Sequence, residues 1–226
     1  MKIGILQTGH SPDNMKEAMG DYGQMFEKLL DNRGFTFQIW SVVDNEFPAS
    51  AMDADGWLIT GSKFGAYEDH AWIPPLEELI RAIRDAGRPL VGICFGHQII
   101  AQALGGKVEK FTGGWAVGRT EYTIDGKKMA LNAWHQDQVT SLPTEAKVVG
   151  SSAFCANAAL LYGDNIWTIQ PHPEFGHDFI DGLIRTRGRG VVPDRQLDAA
   201  AALLDAPTDN VEIADHIADF FKKKRS

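Results

Sequence analysis

Short apolar runs, most of them stopped by small residues and alternating with helical patterns, narrow most what this chain can fold into. Ile3 to Leu6 ends at Gln7-Thr8-Gly9, Trp57 to Ile59 at Thr60-Gly61-Ser62, and Leu90 to Ile93 at Cys94-Phe95-Gly96. A further strand-like run spans Phe35 to Trp40. Between them lie a helical pattern from Tyr22 to Leu30, closed by Asn32-Arg33-Gly34, and one opening at Pro74-Pro75 and running through Arg84, with proline at the first turn and glycine past the last. Short apolar strands alternating with helices predict an α/β fold with a parallel sheet covered on both faces. In such sheets the ligand crevice lies outside the carboxyl ends of the strands. The small-residue turns at those ends are therefore the first place to look for chemistry.

After about residue 106 the texture changes. Arg119 to Ile124, Lys128 to Ala133, Lys147 to Ser151, Ala159 to Tyr162 and Ile166 to Ile169 read as short strands with turn-rich links, an antiparallel extension. Helical patterns return over Gln196 to Leu204 and Val211 to Phe221, and a basic tail, Lys222 to Arg225, follows as a solvated helix end. No repeat or linker divides the chain, so 1–226 is expected to form a single domain with a helical segment over about 180–226. The stretch from Gly182 to Pro207 carries no interpretable motif. Its arginines, Arg185, Arg187 and Arg189, read either as an anion site or as a solvated loop. Gly9-His10-Ser11-Pro12-Asp13 reads equally as a turn shaping substrate choice or as a plain solvent turn.

Composition removes several classes. Lys plus Arg number 22 against 30 Asp plus Glu, a net charge of −8, which ill suits non-specific binding to nucleic acid or an anionic membrane surface. No window approaches the roughly 18 apolar residues of a membrane span, and the opening run is too short for a signal peptide. Two cysteines make no disulfide framework. The expectation is a cytoplasmic globular protein in which an activated cysteine is a candidate for chemistry.

Gly92-Ile93-Cys94-Phe95-Gly96-His97-Gln98 is the most informative segment. A cysteine flanked two residues away on each side by glycine, after a buried strand and before the helical pattern Gln98 to Leu104, has the spacing of a nucleophile elbow. Side chains at the glycine positions would collide in so sharp a turn. The sulfur would sit at a helix N-terminus, which favours negative charge, and the N–H of Phe95 would serve as an oxyanion donor. Cys155, in Ser-Ser-Ala-Phe-Cys-Ala, has no such punctuation and reads as ordinary packing.

A cysteine nucleophile needs a base and an orienting group. Among seven histidines, His172 follows a strand within Gln170-Pro171-His172-Pro173-Glu174. The prolines favour extended geometry, and residues two apart in an extended segment point the same way. Glu174 can then hold one imidazole nitrogen while the other faces a thiol. The histidine spacings, His172 with His177 and His135 with Asp137, match no metal signature. Neither a phosphate-binding loop nor a dinucleotide fingerprint occurs, so no cofactor is expected.

Taken together, Gly92 to Gln98 and Pro171-His172-Pro173-Glu174 resemble the class I, triad-type glutamine amidotransferases, in texture nearest the amidotransferase domain of GMP synthases and its stand-alone homologues. The resemblance runs from Met1 to about Phe179. It implies a flavodoxin-like open, mostly parallel sheet with helices on both faces and a small inserted antiparallel β element. It implies that Cys94 attacks the side-chain amide of glutamine, that His172 acts as base and then acid, and that Glu174 orients it. Ile59-Thr60-Gly61-Ser62 resembles the second oxyanion loop, pairing the N–H of Gly61 or Ser62 with that of Phe95. Gln98 resembles the residue holding the amino-acid end of the substrate. Trp134-His135-Gln136-Asp137 resembles the family's Ser-His-Gly-Asp segment, with His135, Gln136 and Asp137 lining the glutamine pocket. Two positions depart from the pattern: Gln136 stands where glycine is usual, and Ala116 where relatives often carry an acid.

No ATP-pyrophosphatase signature accompanies these motifs. The expected activity is therefore a glutaminase-type amidotransferase releasing ammonia and glutamate, with a separate synthase as ammonia acceptor. A γ-glutamyl hydrolase or peptidase on the same scaffold is the alternative, because the same triad cleaves a γ-glutamyl amide whatever leaves. A non-catalytic binding subunit is the third reading, opposed by the intact Cys94, His172 and Glu174.

Overall fold

The computed structural model describes residues 1–225. The strands are β1 (Lys2–Leu6), β2 (Thr36–Trp40), β3 (Gly56–Ile59), β4 (Leu90–Ile93), β5 (Lys107–Lys110), β6 (Ala116–Ile124), β7 (Lys127–His135), β8 (Asp137–Ser141), β9 (Ala146–Ser151), β10 (Ala159–Tyr162) and β11 (Ile166–Ile169). The helices are α1 (Asp13–Met19), α2 (Tyr22–Leu29), α3 (Ile73–Asp85), α4 (Phe95–Ala103), α5 (His177–Leu183), α6 (Asp194–Ala201) and α7 (Asn210–Lys222), with one π-helical turn at Ile184–Gly188.

One nine-stranded sheet, in the order β2-β1-β3-β4-β11-β10-β9-β6-β7, carries the fold, and β5 and β8 form a separate antiparallel pair. The first five strands in that order are parallel, the flavodoxin-like arrangement. The remaining four continue the same sheet antiparallel. The sequence expectation of a parallel core, helices on both faces and an antiparallel extension is met.

Alternation along the strands explains the two-sided burial. Leu6, Trp57, Ile59 and Leu90 face one core with Leu76, Ile80 and Ile83 of α3 and Ile99 and Ile100 of α4. Ile5, Leu58, Val91, Ile93 and Trp167 face the other with Phe26 of α2 and Ile213 and Ile217 of α7. Leu76, Ile80 and Ile83, at helical spacing, are wholly inaccessible, and each such side chain contributes about 1.5–3 kcal/mol by burial.

Several expectations shift. Helix α4 begins at Phe95, immediately after Cys94, rather than at Gln98. Helix α1 begins at Asp13, the last residue of the Gly9 to Asp13 turn, and runs over residues without a helical signal, with Met15 its one buried residue; seven residues with a single apolar anchor show no periodicity. Strands β5 and β8 escaped notice because Lys107–Lys110 buries only Val108, and Asp137–Ser141 is largely polar. Helix α5 and the π-helical turn occupy part of the stretch that carried no motif.

Candidate active site

Cys94 joins β4 to α4 with φ 51° and ψ −102°, a strained conformation costing about 1–3 kcal/mol. The flanking glycines permit it. A Cβ on Gly92 would lie 2.6 Å from the carbonyl oxygen of Gly96, and one on Gly96 would run into the carbonyl of Ile59. The turn is fastened to the end of β3. The Gly96 N–H donates to the Thr60 carbonyl at 3.1 Å, the Thr8 N–H to the Thr60 hydroxyl at 3.0 Å, and the Thr8 hydroxyl lies 3.0 Å from the carbonyls of Thr60 and Gly61. Gly61 is thereby held beside the sulfur: a side chain there would reach 3.8 Å from Cys94 Cβ and 2.8 Å from His172 Cε1. Phe95 opens α4, where a helix N–H has no intrahelical acceptor.

Strand register brings the second motif to the same point. Ile169 of β11 lies opposite Ile93 of β4, and the Cys94 N–H donates to the Ile169 carbonyl at 2.8 Å. The chain leaving β11 therefore passes directly over Cys94. The His172 N–H donates to the Asn132 carbonyl at 2.8 Å, and the Asn132 amide to the Phe175 carbonyl at 2.9 Å, which clamps the proline-bounded turn to β7. His172 Nδ1 lies 2.7 Å from Glu174 Oε1, both side chains being shielded from solvent. The Phe175 ring stacks flat on the imidazole at 3.9 Å. Cys94 and His172 line the same cleft and both stand against Gly61. Burial opposes a charge on His172, but the Cys94 sulfur and the Glu174 carboxylate outweigh it and raise its pKa to about 10.

Gln170, wholly buried, is a residue the sequence reading passed over as a partner of Cys94. Its amide nitrogen donates toward Cys94 Sγ at 3.6 Å, and its oxygen accepts from Gln98 Nε2 at 3.2 Å. Gln98 also donates to the Asp137 carbonyl at 2.9 Å. A chain of side-chain amides thus links the Asp137 carbonyl to the sulfur. Asn132 was missed likewise. Neither residue forms part of a local spacing with Cys94, and both act across strands.

Cys94 and His172 open into a cleft of about 550 Å³, lined also by Gln98, His135, Gln136 and Asp137 among others. His135 is held neutral, its pKa pushed down to about 3 by burial. Its Nδ1 lies 3.2 Å from the Asp137 carbonyl, and its Nε2 has no partner among the described residues. Burial raises the Asp137 carboxyl against the pull of the Tyr67 hydroxyl and Lys110. Gln136 turns its amide back onto the Phe111 carbonyl at 3.3 Å.

The two open stretches resolve differently. His10 sits between Asp21 at 2.6 Å and Asp44 at 3.0 Å, and Asp21 also forms the capping box of α2 with Gln24. The loop from Gly9 is thus fastened to the scaffold. Of the three arginines, Arg185 pairs with Asp181 on the surface, whereas Arg187 and Arg189 line the cleft. Among the described residues no group of three or more His, Cys, Asp or Glu is disposed to hold a metal ion, and no helix is long and apolar enough to cross a membrane.

Comparison with known proteins bears on this geometry. Residues 18–182 match the family "Glutamine amidotransferase class-I". Gamma-glutamyl peptidase 4 of Arabidopsis thaliana is 33% identical over 192 residues, covering 77% of this chain and 76% of that protein. A glutamine-hydrolysing GMP synthase of Bacteroides fragilis is 30% identical over 171 residues, covering 70% of this chain but 32% of that protein. Among solved structures, a glutamine amidotransferase of Methylobacillus flagellatus superposes with a TM-score of 0.76 at 22% identity, covering 100% of this chain and 96% of that one. The chain belongs to the class-I glutamine amidotransferase family.

Proposed function

We propose that this chain hydrolyses the amide at the side-chain carbonyl of a γ-glutamyl group, with Cys94 as nucleophile, His172 as acid and base, and Glu174 as the group that orients His172. The observation that carries the reading is the strained Cys94 turn set against a buried His172–Glu174 pair 2.7 Å apart. The Cys94 sulfur attacks the γ-carbonyl carbon. The N–H groups of Phe95 and Gly61 take the charge on the carbonyl oxygen; one such donor contributes about 10²–10³ in rate. The C–N bond then breaks, and the proton on His172 passes to the departing nitrogen. Water, deprotonated by His172, attacks the thioester and releases glutamate and the thiol. The reaction as written needs no cofactor, and a free nucleophilic thiol suits a reducing, cytoplasmic setting.

The amino-acid end of the substrate lies in this reading against Gln98, His135, Gln136 and Asp137, with the Asp137 carboxyl taking the α-amino group. If the substrate is glutamine, ammonia leaves and passes to a separate synthase. If it is a γ-glutamyl peptide, an amino acid or peptide leaves. The size of the cleft, about 550 Å³, falls within the roughly 300–1,000 Å³ of sites for drug-sized ligands and favours the larger substrate. The name of the Arabidopsis relative points the same way. The test is a diazo-ketone analogue of glutamine followed by peptide mapping. One equivalent bound at Cys94 with loss of hydrolysis is expected; labelling at Cys155, or none, rejects the assignment.

A further inference from the structure

The cleft is charged against the sign of the chain. The protein carries −8, yet the charged lining consists of Lys63, Lys110, Arg187 and Arg189 against Glu68 and Asp137. Glutamine has no net charge to match an excess of cations. A γ-glutamyl amino acid, with two carboxylates and one ammonium group, does.

The four cations are not equivalent. Arg189 is committed to Asp194 at 2.7 Å and Asp198 at 3.2 Å. Lys63 lies over the Phe64 ring on the surface. Lys110 pulls on Asp137, at the wall assigned to the amino-acid end. Arg187 forms no ion pair among the described residues. Its guanidinium is steadied by a neutral group, donating to the His10 carbonyl at 3.4 Å, and it lines the cleft with Tyr22. An arginine half-withdrawn from water without a counter-ion is prepared for an anion.

Chemistry assigns the side on which that anion lies. The imidazole that gives its proton to the departing nitrogen must stand within hydrogen-bond distance of it, so the leaving group exits on the His172 side of the sulfur. From His172 a chain of aromatic contacts leads to Arg187. Phe175 stacks on the imidazole at 3.9 Å, Tyr22 packs on Phe175 at 6.1 Å, and Arg187 stands beside Tyr22. Gln98 is tied instead to the Asp137 carbonyl at 2.9 Å and to Gln170 at 3.2 Å.

We infer that Arg187 is the binding site for the carboxylate of the leaving group, and that the substrates are γ-glutamyl amino acids or peptides with a free carboxylate on the departing amine. The inference rests on the γ-glutamyl reading above. The bond broken is the same C–N bond; the proton from His172 goes to the amine of the released amino acid.

The experiment compares γ-glutamylglycine with γ-glutamylglycinamide, identical but for that carboxylate, with glutamine alongside. A charge-assisted pair predicts a kcat/KM for the acid roughly ten- to a hundredfold above the amide. Arg187→Met should collapse the ratio toward one, Arg187→Lys should restore part of it, and added salt should shrink it. Calorimetry of both dipeptides on the Cys94→Ala protein reads the same ratio without turnover. Equal use of acid and amide by the unmodified protein overturns the inference. So does an Arg187→Met protein that loses both activities equally with the ratio intact. If glutamine is hydrolysed without any preference for the acid, this inference falls while the hydrolytic reading stands. If none of the three is hydrolysed and Cys94 takes no acyl group, the hydrolytic reading falls with it.

Discussion

The two cysteines occupy one core cluster and differ in almost everything else. Both are nearly inaccessible, Cys94 at 4% and Cys155 at 1%, so burial does not separate them. Their turns do. Cys155 follows a relaxed turn closed by ordinary bonds: the Ser152 N–H donates to the Cys155 carbonyl at 2.8 Å and the Cys155 N–H to the Ser152 hydroxyl at 3.0 Å. Burial pushes its thiol up to about 12, leaving it protonated at neutral pH. Cys94 sits instead at φ 51° between two glycines, at the head of a helix, with Gln170 and His172 directed at its sulfur. A core position makes a cysteine inert by default. Backbone strain and polar partners arranged on one atom are what set Cys94 apart.

That contrast can be broken by substitution. Cys94→Ser should lower hydrolysis by at least about 10³-fold while the circular dichroism spectrum is unchanged; a live Cys94→Ser beside a dead Cys155→Ala would reverse the assignment. Glu174→Gln should cost about 10²–10⁴ in kcat by releasing the imidazole from its working tautomer, measured on the best γ-glutamyl substrate.

The next effects are on stability. Gly96→Ala drives a methyl group into the Ile59 carbonyl and should lower stability by about 1–3 kcal/mol in denaturant melts, with activity lost alongside. The pH dependence sharpens the contrast between the sites. His172 binds its proton more tightly folded than unfolded, at about 10 against 6.5. Its stabilisation is therefore complete below about 6.5 and is lost as pH climbs to about 10. The alkaline fall in melting temperature should be flatter in His172→Gln, and an unaltered fall would reject the raised imidazole. Smallest is Cys155→Ala, which keeps both backbone bonds of its turn. It should cost about 1 kcal/mol and leave kcat/KM within twofold.

Much of the site was legible because its motifs are local. A glycine two residues either side of Cys94, and prolines either side of His172, constrain the backbone over spans of a few residues, and those constraints survive in any fold that accepts them. The parallel half was legible for a related reason: its strands are buried on both faces and read as unbroken apolar runs. The surrounding shell was not. Gln170, Asn132 and Thr8 look like ordinary polar residues until β11 is laid beside β4 and the β7 edge is brought over the turn. Their partners lie 76, 43 and 52 residues away, and no window along the chain holds both ends. Arg187 was noticed only as one of three alternating arginines.

The sequence by itself determined that a strained cysteine turn would follow a buried strand, that a histidine and a glutamate two residues apart would share a direction, and that helices would cover a parallel sheet. These are matters of local sterics and hydrophobic periodicity. Only the tertiary structure decided that residues 107–162, which build the antiparallel half, would be looped out so that β11 could return beside β4. It also decided that Arg187 and Arg189 line the cleft while Arg185 pairs with Asp181 on the surface. Strand pairing over such distances depends on the closure of long loops and the burial of whole faces, free energies that belong to the assembled sheet and to no short segment of the chain.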